Sequence, residues 1–446
     1  MAGNSKLLGG RRAPLAISAC GAITAAGRGA RAIESALAGG RTAIAPLEGL
    51  TARSFQNRVG ARVDALLLGD ADRGDPAAPG RVARCARRAL GELVADAEAR
   101  GGLPRGVIGA AFGTALGDAE ALERFAARSE PSIDVDEFSF ERLLRNILDA
   151  RGELASLDLS GPRRVFSATC VSALCALEQA AADLAFGRAA AMLVGAFDSL
   201  SRSMQAGFSA LRALSPSGRL RAFEPEHDGI VLGEGAAFAL VEPLAAARLR
   251  NARVGAAIVA ARLESDSRHL TSPDSDGVRM SSAVRQVLDD AGLTARDLGC
   301  VLVTASGSAV YDRMLSRALH AALGEDACAR LAVTTWEPAV GHLLAATGAM
   351  AIVHAAAIVE SRRIPALVGV DRVDPECRLD YVLDQPRALE HPAVLALVVG
   401  FGGQNGVVLV TSPELASDLS RAAGSSGEAV GESAVAAACD PRGEAR

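Results

Sequence analysis

Residues 81–114 read RVARCARRALGELVADAEARGGLPRGVIGAAFGT, and residues 281–308 read SSAVRQVLDDAGLTARDLGCVLVTASGS. Each is an amphipathic helix, a glycine–leucine stop, a short polar connection, a buried apolar strand and a turn of small residues. One succession of elements at two separate places in a chain marks an internal duplication.

The units that follow match as well. Residues 167–187, SATCVSALCALEQAAADLAFG, lead into the strand AAAMLVGA at 189–196. Residues 335–362, TWEPAVGHLLAATGAMAIVHAAAIVESR, lead into PALVGV at 365–370, which the pattern predicts as the matching strand. Both are a loop, a long alanine-rich helix and a buried strand. Helices apolar nearly all round belong inside a core, between sheets. Each half opens with a strand, at 15–22 and 254–261. Strand-like runs also close them, at 236–243 in the first and at 394–400 and 406–412 in the second.

Alternating buried strands and helices predict an α/β protein. Two such halves predict a five-layer α-β-α-β-α sandwich, divided into residues 1–250 and 251–412. The segment 115–165 interrupts the first half only and reads as a cap or an oligomer contact. Residues 413–446 are rich in Ala, Gly, Ser and Glu and read as a disordered tail.

Composition narrows the function. The chain has 446 residues, half of them hydrophobic and 3% aromatic, with a net charge of −5. That balance gives no electrostatic attraction to nucleic acid or a membrane surface. No run approaches the length of a membrane span. The eight cysteines are scattered, no cysteine–histidine cluster has zinc spacing, and no signal pattern opens the chain. The expectation is a reduced, cytoplasmic protein without a metal or a resident cofactor.

The repeat carries the chemistry. Cys170 ends the loop before the first core helix, where helix dipole and free N–H groups favour a thiolate. His342 stands at the matching junction of the second half. If the halves face each other, a thiol and an imidazole meet in one pocket, as nucleophilic catalysis requires. The glycine turn VGFGGQNG, 399–406, offers backbone N–H groups from Phe401, Gly402 and Gly403 to an oxyanion, together with that of Cys170. The loop FEPEHDGIVLGEG, 223–235, reads as a structured element near the pocket, with no catalytic role assigned to its acids.

Together SATCVSAL, ALRALSPSGRLRAFEPEHDGIVLGEGAAFALVE, AVGHLLAATGAM and VGFGGQNG resemble the β-ketoacyl synthase family, the thiolase-fold condensing enzymes of fatty acid and polyketide synthesis. The opening PLAISACGAITAAG resembles that family's first strand and turn. The resemblance spans about residues 13–412 and implies a thiolase-like fold and a dimer paired through the strand near 190–196. It implies an acyl group taken by Cys170 from acyl carrier protein or coenzyme A. It implies His342 as the second of two histidines that help decarboxylate a malonyl thioester. Phe401 matches a phenylalanine that gates the pocket and supplies an oxyanion-hole amide. Two departures stand out. Ser306 occupies the place of the family's first histidine. Glu337 occupies the place of its lysine, while the family's later glutamate is here Ala351.

Three functions follow from this resemblance. One is a ketosynthase that condenses the acyl group with a carrier-bound extender. Another is a cysteine acyltransferase that hands it to an amine, alcohol or thiol without decarboxylation. The last is a chain-length-factor-like partner subunit, against which the retained Cys170 argues. Glu337 is read either as the third member of a Cys170–His342–Glu337 array or as a solvent-facing carboxylate at a helix N-terminus.

Overall fold

The structure is a computed structural model that describes residues 13–69, 80–127, 139–148 and 154–424. The principal elements are numbered in chain order. The first half contributes β1 (Leu15–Thr24), α1 (Arg81–Ala99), β2 (Ile108–Gly113), β3 (Arg163–Phe166), α2 (Ser172–Ala185), β4 (Ala191–Asp198), α3 (Arg202–Ala210) and β5 (Gly235–Pro243). The second contributes β6 (Ala256–Ser265), α4 (Val278–Ala291), β7 (Cys300–Val303), α5 (Ala309–Leu323), β8 (Ala332–Thr334), α6 (Glu337–Val340) and α7 (Ala346–Ser361). It ends with β9 (Asp380–Tyr381), β10 (Ala393–Gly400), β11 (Gln404–Thr411) and α8 (Pro413–Gly424).

The duplication reappears as strand order. The first half runs β3-β2-β4-β5-β1 and the second β8-β7-β10-β11-β6, with β9 outside β8. In both, the first three strands pair parallel and the last two antiparallel. The halves join where Leu15–Ile17 of β1 pairs antiparallel with 256–258 of β6.

Helices fill the layers as the apolar patterns require. α1 packs on β1 and β5 from one outside face, and α4 packs on β6 and β11 from the other. Between the sheets lie α2, against β2 and β4, and α7, against β4 and β5 on one side and β10 and β11 on the other. Thirteen of the sixteen residues of α7 are buried, so it has no solvent face. Small residues permit that closeness: a Cβ added to Gly348 of α7 would lie 2.9 Å from the Cys170 carbonyl oxygen. The fold is the expected thiolase-like α/β arrangement.

Three local expectations fail. PALVGV, 365–370, forms no strand. Pro365 lacks a ladder donor and Gly369 takes φ +70°, so the run cannot pair continuously. The place beside β7 goes to β10, AVLALVVG, whose eight residues are all buried. β4 is flanked by β2 and β5, so it has no free edge for the strand pairing expected near 190–196; the edge strand of this half is β3. Residues 413–424, expected within a disordered tail, form α8. Ser412 Oγ accepts from the Leu415 amide at 3.3 Å, a hydroxyl cap followed by proline in the first turn. Residues 425–446 lie outside the described residues.

Of segment 115–165, Ala119–Ala126 and Phe140–Leu148 are helices resting on α3 and α1 respectively. Among the described residues no helix is long and apolar enough to cross a membrane.

Candidate active site

Both core helices are entered through a left-handed residue, Thr169 (φ +54°) before α2 and Leu344 (φ +56°) before α7. For non-glycine residues that conformation costs about 1–3 kcal/mol and persists only where the surroundings enforce it. Around Thr169 they do. The Ser172 hydroxyl donates to the Thr169 carbonyl at 2.6 Å and accepts from the Ala168 amide at 2.9 Å. The Thr169 hydroxyl donates to the Phe401 carbonyl at 3.3 Å. Cys170 follows on this turn, two residues ahead of α2, and is partly exposed.

The other entry is held from below. The His342 amide donates to the Val231 carbonyl at 2.8 Å, and the His342 carbonyl accepts from the Gly233 amide at 2.8 Å. This gives the loop 223–235 its role: it grips the histidine by its backbone. Its acids are occupied elsewhere. Glu234 is buried and accepts from the Val63 and Leu200 amides and from Arg81.

The structure brings three of the singled-out side chains into one line. Cys170 Sγ lies 3.0 Å from His342 Nε2, and His342 Nδ1 lies 2.6 Å from Glu337 Oε1. Glu337 is fully buried, which removes the solvent-facing reading. A carboxylate oxygen at Nδ1 keeps a proton on Nδ1 and leaves Nε2 facing sulfur, where a proton can pass between the two. Burial pulls the His342 pKa down, but Cys170 and Glu337 outweigh it and raise it well above the usual value. Burial raises the Glu337 pKa, with His342 and the Ala305 amide drawing it back. The other described cysteines are packing residues, and burial pushes their thiols up, Cys175 to about 11 and Cys20 to about 12.

Ser306 stands apart from this line. Its hydroxyl accepts from the Ser308 amide at 3.2 Å. Among the described residues no hydrogen bond joins it to Cys170, His342 or Glu337. Its loop is pinned by Asp312, which takes the amides of Ser306 and Phe223 and faces His227 at 3.5 Å; His227 also reaches Asp374 at 3.1 Å.

The glycine turn divides its roles more finely than expected. The Gly402 amide donates to the Leu270 carbonyl at 2.7 Å, so it is not free for an oxyanion. Gly403 offers its carbonyl to the Asp266 amide at 2.9 Å and to the Asn405 side chain at 3.0 Å. What approaches the nucleophile is the 400–401 backbone. A Cβ on Gly400 would fall 2.5 Å from Thr169 Oγ1 and 3.3 Å from the Cys170 nitrogen. The Phe401 ring stacks on Phe208 of α3 at 5.6 Å and lies 6.4 Å from Tyr311 of α5.

Sequence reasoning missed two groups. Phe208 and Tyr311 carried no periodic signal that tied them to Phe401. Asp198 is a lone carboxylate at the end of an apolar strand. It accepts from the Thr114 hydroxyl at 2.8 Å, the Ala115 amide at 3.1 Å and the Ala345 amide at 2.9 Å. It thereby ties the end of β4 to the turn carrying His342.

Profiles of the beta-ketoacyl synthase N-terminal and C-terminal domains match residues 12–247 and 255–371. The chain belongs to the β-ketoacyl synthase family. The tetracenomycin polyketide synthase ketoacyl synthase alpha subunit of Streptomyces glaucescens is 30% identical over 89% of this chain and 97% of its own. The crystal structure of a β-ketoacyl synthase from Burkholderia phymatum STM815 aligns at TM-score 0.77 with 27% identity, covering 90% of this chain and all of that one. A type II polyketide ketosynthase solved with its acyl carrier protein aligns at TM-score 0.76 and 24% identity, a likeness of fold alone. This chain is a ketosynthase-family enzyme, and several of its relatives are named for polyketide synthesis.

Proposed function

We propose that this chain takes an acyl group onto Cys170 from an acyl-carrier-protein or coenzyme A thioester and condenses it with a carrier-protein-bound extender in polyketide-type biosynthesis. The 3.0 Å contact between Cys170 Sγ and His342 Nε2 carries the reading. It joins a thiol from one half to an imidazole from the other, the pairing that nucleophilic catalysis by cysteine requires.

In loading, the Cys170 thiolate attacks the thioester carbonyl. The amides of Cys170 and Phe401 receive the oxyanion, and the carrier's thiol leaves with one proton. In condensation, the extender's carboxylate departs as carbon dioxide. The resulting enolate carbon attacks the acyl carbonyl, and the Cys170 sulfur leaves. Ser306 stands where the family's first histidine would stabilise that enolate. Glu337 orients His342. Acyl carrier protein is the expected partner, and a homodimer or a heterodimer with a related subunit the expected assembly.

The test is acylation by a labelled acyl thioester, read by peptide mass spectrometry. Label on Cys170 that disappears in Cys170→Ala supports loading and excludes a purely non-catalytic partner subunit. Carbon dioxide and a ketoacyl product from malonyl carrier protein support the condensing step. An unlabelled Cys170 sinks the proposal.

A further inference from the structure

The Cys170–His342–Glu337 line points to a second fate for the bound acyl group. We propose that acyl-Cys170 also donates to protic acceptors, a primary amine or alcohol, with His342 as general base and without decarboxylation. The inference rests on acyl loading at Cys170.

The two acceptors ask different things of the histidine. An enolate attacks through carbon and brings no proton to be removed. An amine or alcohol attacks through an atom that must lose its proton as the bond forms, and the base has to stand beside the acyl carbonyl. His342 Nε2 stands there, 3.0 Å from the sulfur that would carry the acyl group. Its other nitrogen is bound at 2.6 Å by a carboxylate that fixes the ring and supports the imidazolium formed by proton capture.

Charge placement separates the acceptors further. Decarboxylation places negative charge on an enolate oxygen and is helped by a cation nearby. Here the residue five places before the histidine is an acid. Glu337 Oε2 is buried without a hydrogen-bond partner, and Asp312 adds a second carboxylate close enough to raise the Glu337 pKa. The Ser306 hydroxyl carries no charge to oppose them. The same acids favour a reaction in which His342 becomes cationic. The rings of Phe401, Phe208 and Tyr311 form an apolar wall at the turn beside Cys170, which selects an organic acceptor over water.

The step balances without a further reagent. The acceptor's nitrogen or oxygen attacks the carbonyl carbon of acyl-Cys170 as Nε2 takes its proton. The tetrahedral oxyanion rests on the amides of Cys170 and Phe401. Collapse breaks the carbon–sulfur bond, and the imidazolium returns the proton to sulfur. One amide or ester forms, one thioester is lost and the free thiol is restored.

To test this, the enzyme is loaded with octanoyl-N-acetylcysteamine and acyl-Cys170 is followed by intact mass. It is then offered n-butylamine, ethanolamine or n-butanol. The expected result is octanoyl amide or ester, with acyl-Cys170 lost faster than in buffer alone. Glu337→Gln should slow transfer on the order of a hundredfold and move its pH profile downward, while Glu337→Asp restores part of both. A purely structural role for Glu337 would lower yield without moving the profile. Acyl-Cys170 that forms but outlasts all three acceptors as it does buffer overturns this inference and leaves loading intact. So does transfer unchanged in Glu337→Gln. If acyl-Cys170 never forms, loading fails, and the inference with it.

Discussion

Cys170 Sγ stands 3.0 Å from Nε2 of His342, although 172 positions separate them in the chain. Each sits at the mouth of the core helix of its own repeat, and the packing of α2 against α7 brings those mouths together. Removing the imidazole leaves the thiol without its base. His342→Ala should cut loading of Cys170 by about 10²–10⁴-fold, measured as the rate of acyl-enzyme appearance by mass spectrometry. Loading at the wild-type rate in that variant would remove His342 from the mechanism.

Glu337 and Cys170 both lift the His342 pKa above the usual value of 6.5, against the downward pull of burial. A raised pKa in the folded state adds stability that is fully present below about 6.5 and is lost as pH rises through the folded value. Glu337→Gln removes one of the two upward pulls. The stability gap between wild type and variant should therefore narrow as pH rises above 6.5, followed by urea denaturation across that range. A gap that widens there would contradict an anionic Glu337 beside His342.

Asp198 has the same sign at lower pH. Burial raises its pKa from 3.8 to about 6, despite hydrogen bonds from Ala345, Thr114, Ala115 and Leu116 that lower it. The folded protein then holds this proton more tightly than the unfolded chain does. Its contribution to stability is greatest below pH 3.8 and falls as pH rises toward 6, by about 3 kcal/mol. Asp198→Asn abolishes that slope. Because the Ala345 amide loses its anionic acceptor, the variant should also load Cys170 more slowly at neutral pH. Parallel pH–stability curves for wild type and variant between 4 and 6 would show that Asp198 does not titrate there.

How much of this was legible depends on which interactions are local. The duplication was readable because helix and strand periods survive in both copies. The replacement of 365–370 by 393–400 was not, because both runs are apolar. Only Pro365 and the left-handed Gly369 tell them apart. The cap at Ser412-Pro413 was present in the letters, but the composition of the longer tail outweighed it. Cys170 and His342 were found by repeat position. The Glu337–His342 contact was less accessible, because residues five apart on a continuous helix point about 140° away from each other. Here α6 stops at Val340 and Gly341 turns the chain with φ +71°, which swings the imidazole back over the carboxylate. The loss of the Gly402 amide to Leu270 depends on an irregular loop that carries no periodic signal.

Two glycines of the turn separate stability from function. Gly402 has φ +80°, and a Cβ there would find its nearest neighbours at 3.9 and 4.0 Å, both on Gln404. Gly402→Ala meets no clash but holds a side chain in a left-handed conformation, at about 1–2 kcal/mol. It should lower the melting temperature and load Cys170 almost normally, since the Gly402 amide already belongs to Leu270. Gly400 is the reverse: it is absent from the left-handed positions, so alanine brings no backbone strain. Its Cβ would lie 2.5 Å from Thr169 Oγ1 and 3.3 Å from the Cys170 nitrogen. That pushes the Phe401 backbone away from the nucleophile's amide and breaks the Thr169–Phe401 hydrogen bond. Loss of one oxyanion donor costs about 10²–10³ in rate, so Gly400→Ala should lose loading on that scale with a nearly unchanged melting temperature. If Gly400→Ala loads as wild type while Gly402→Ala does not, the oxyanion site must be built from the Gly402 side of the turn, and the Leu270 contact must open during the reaction.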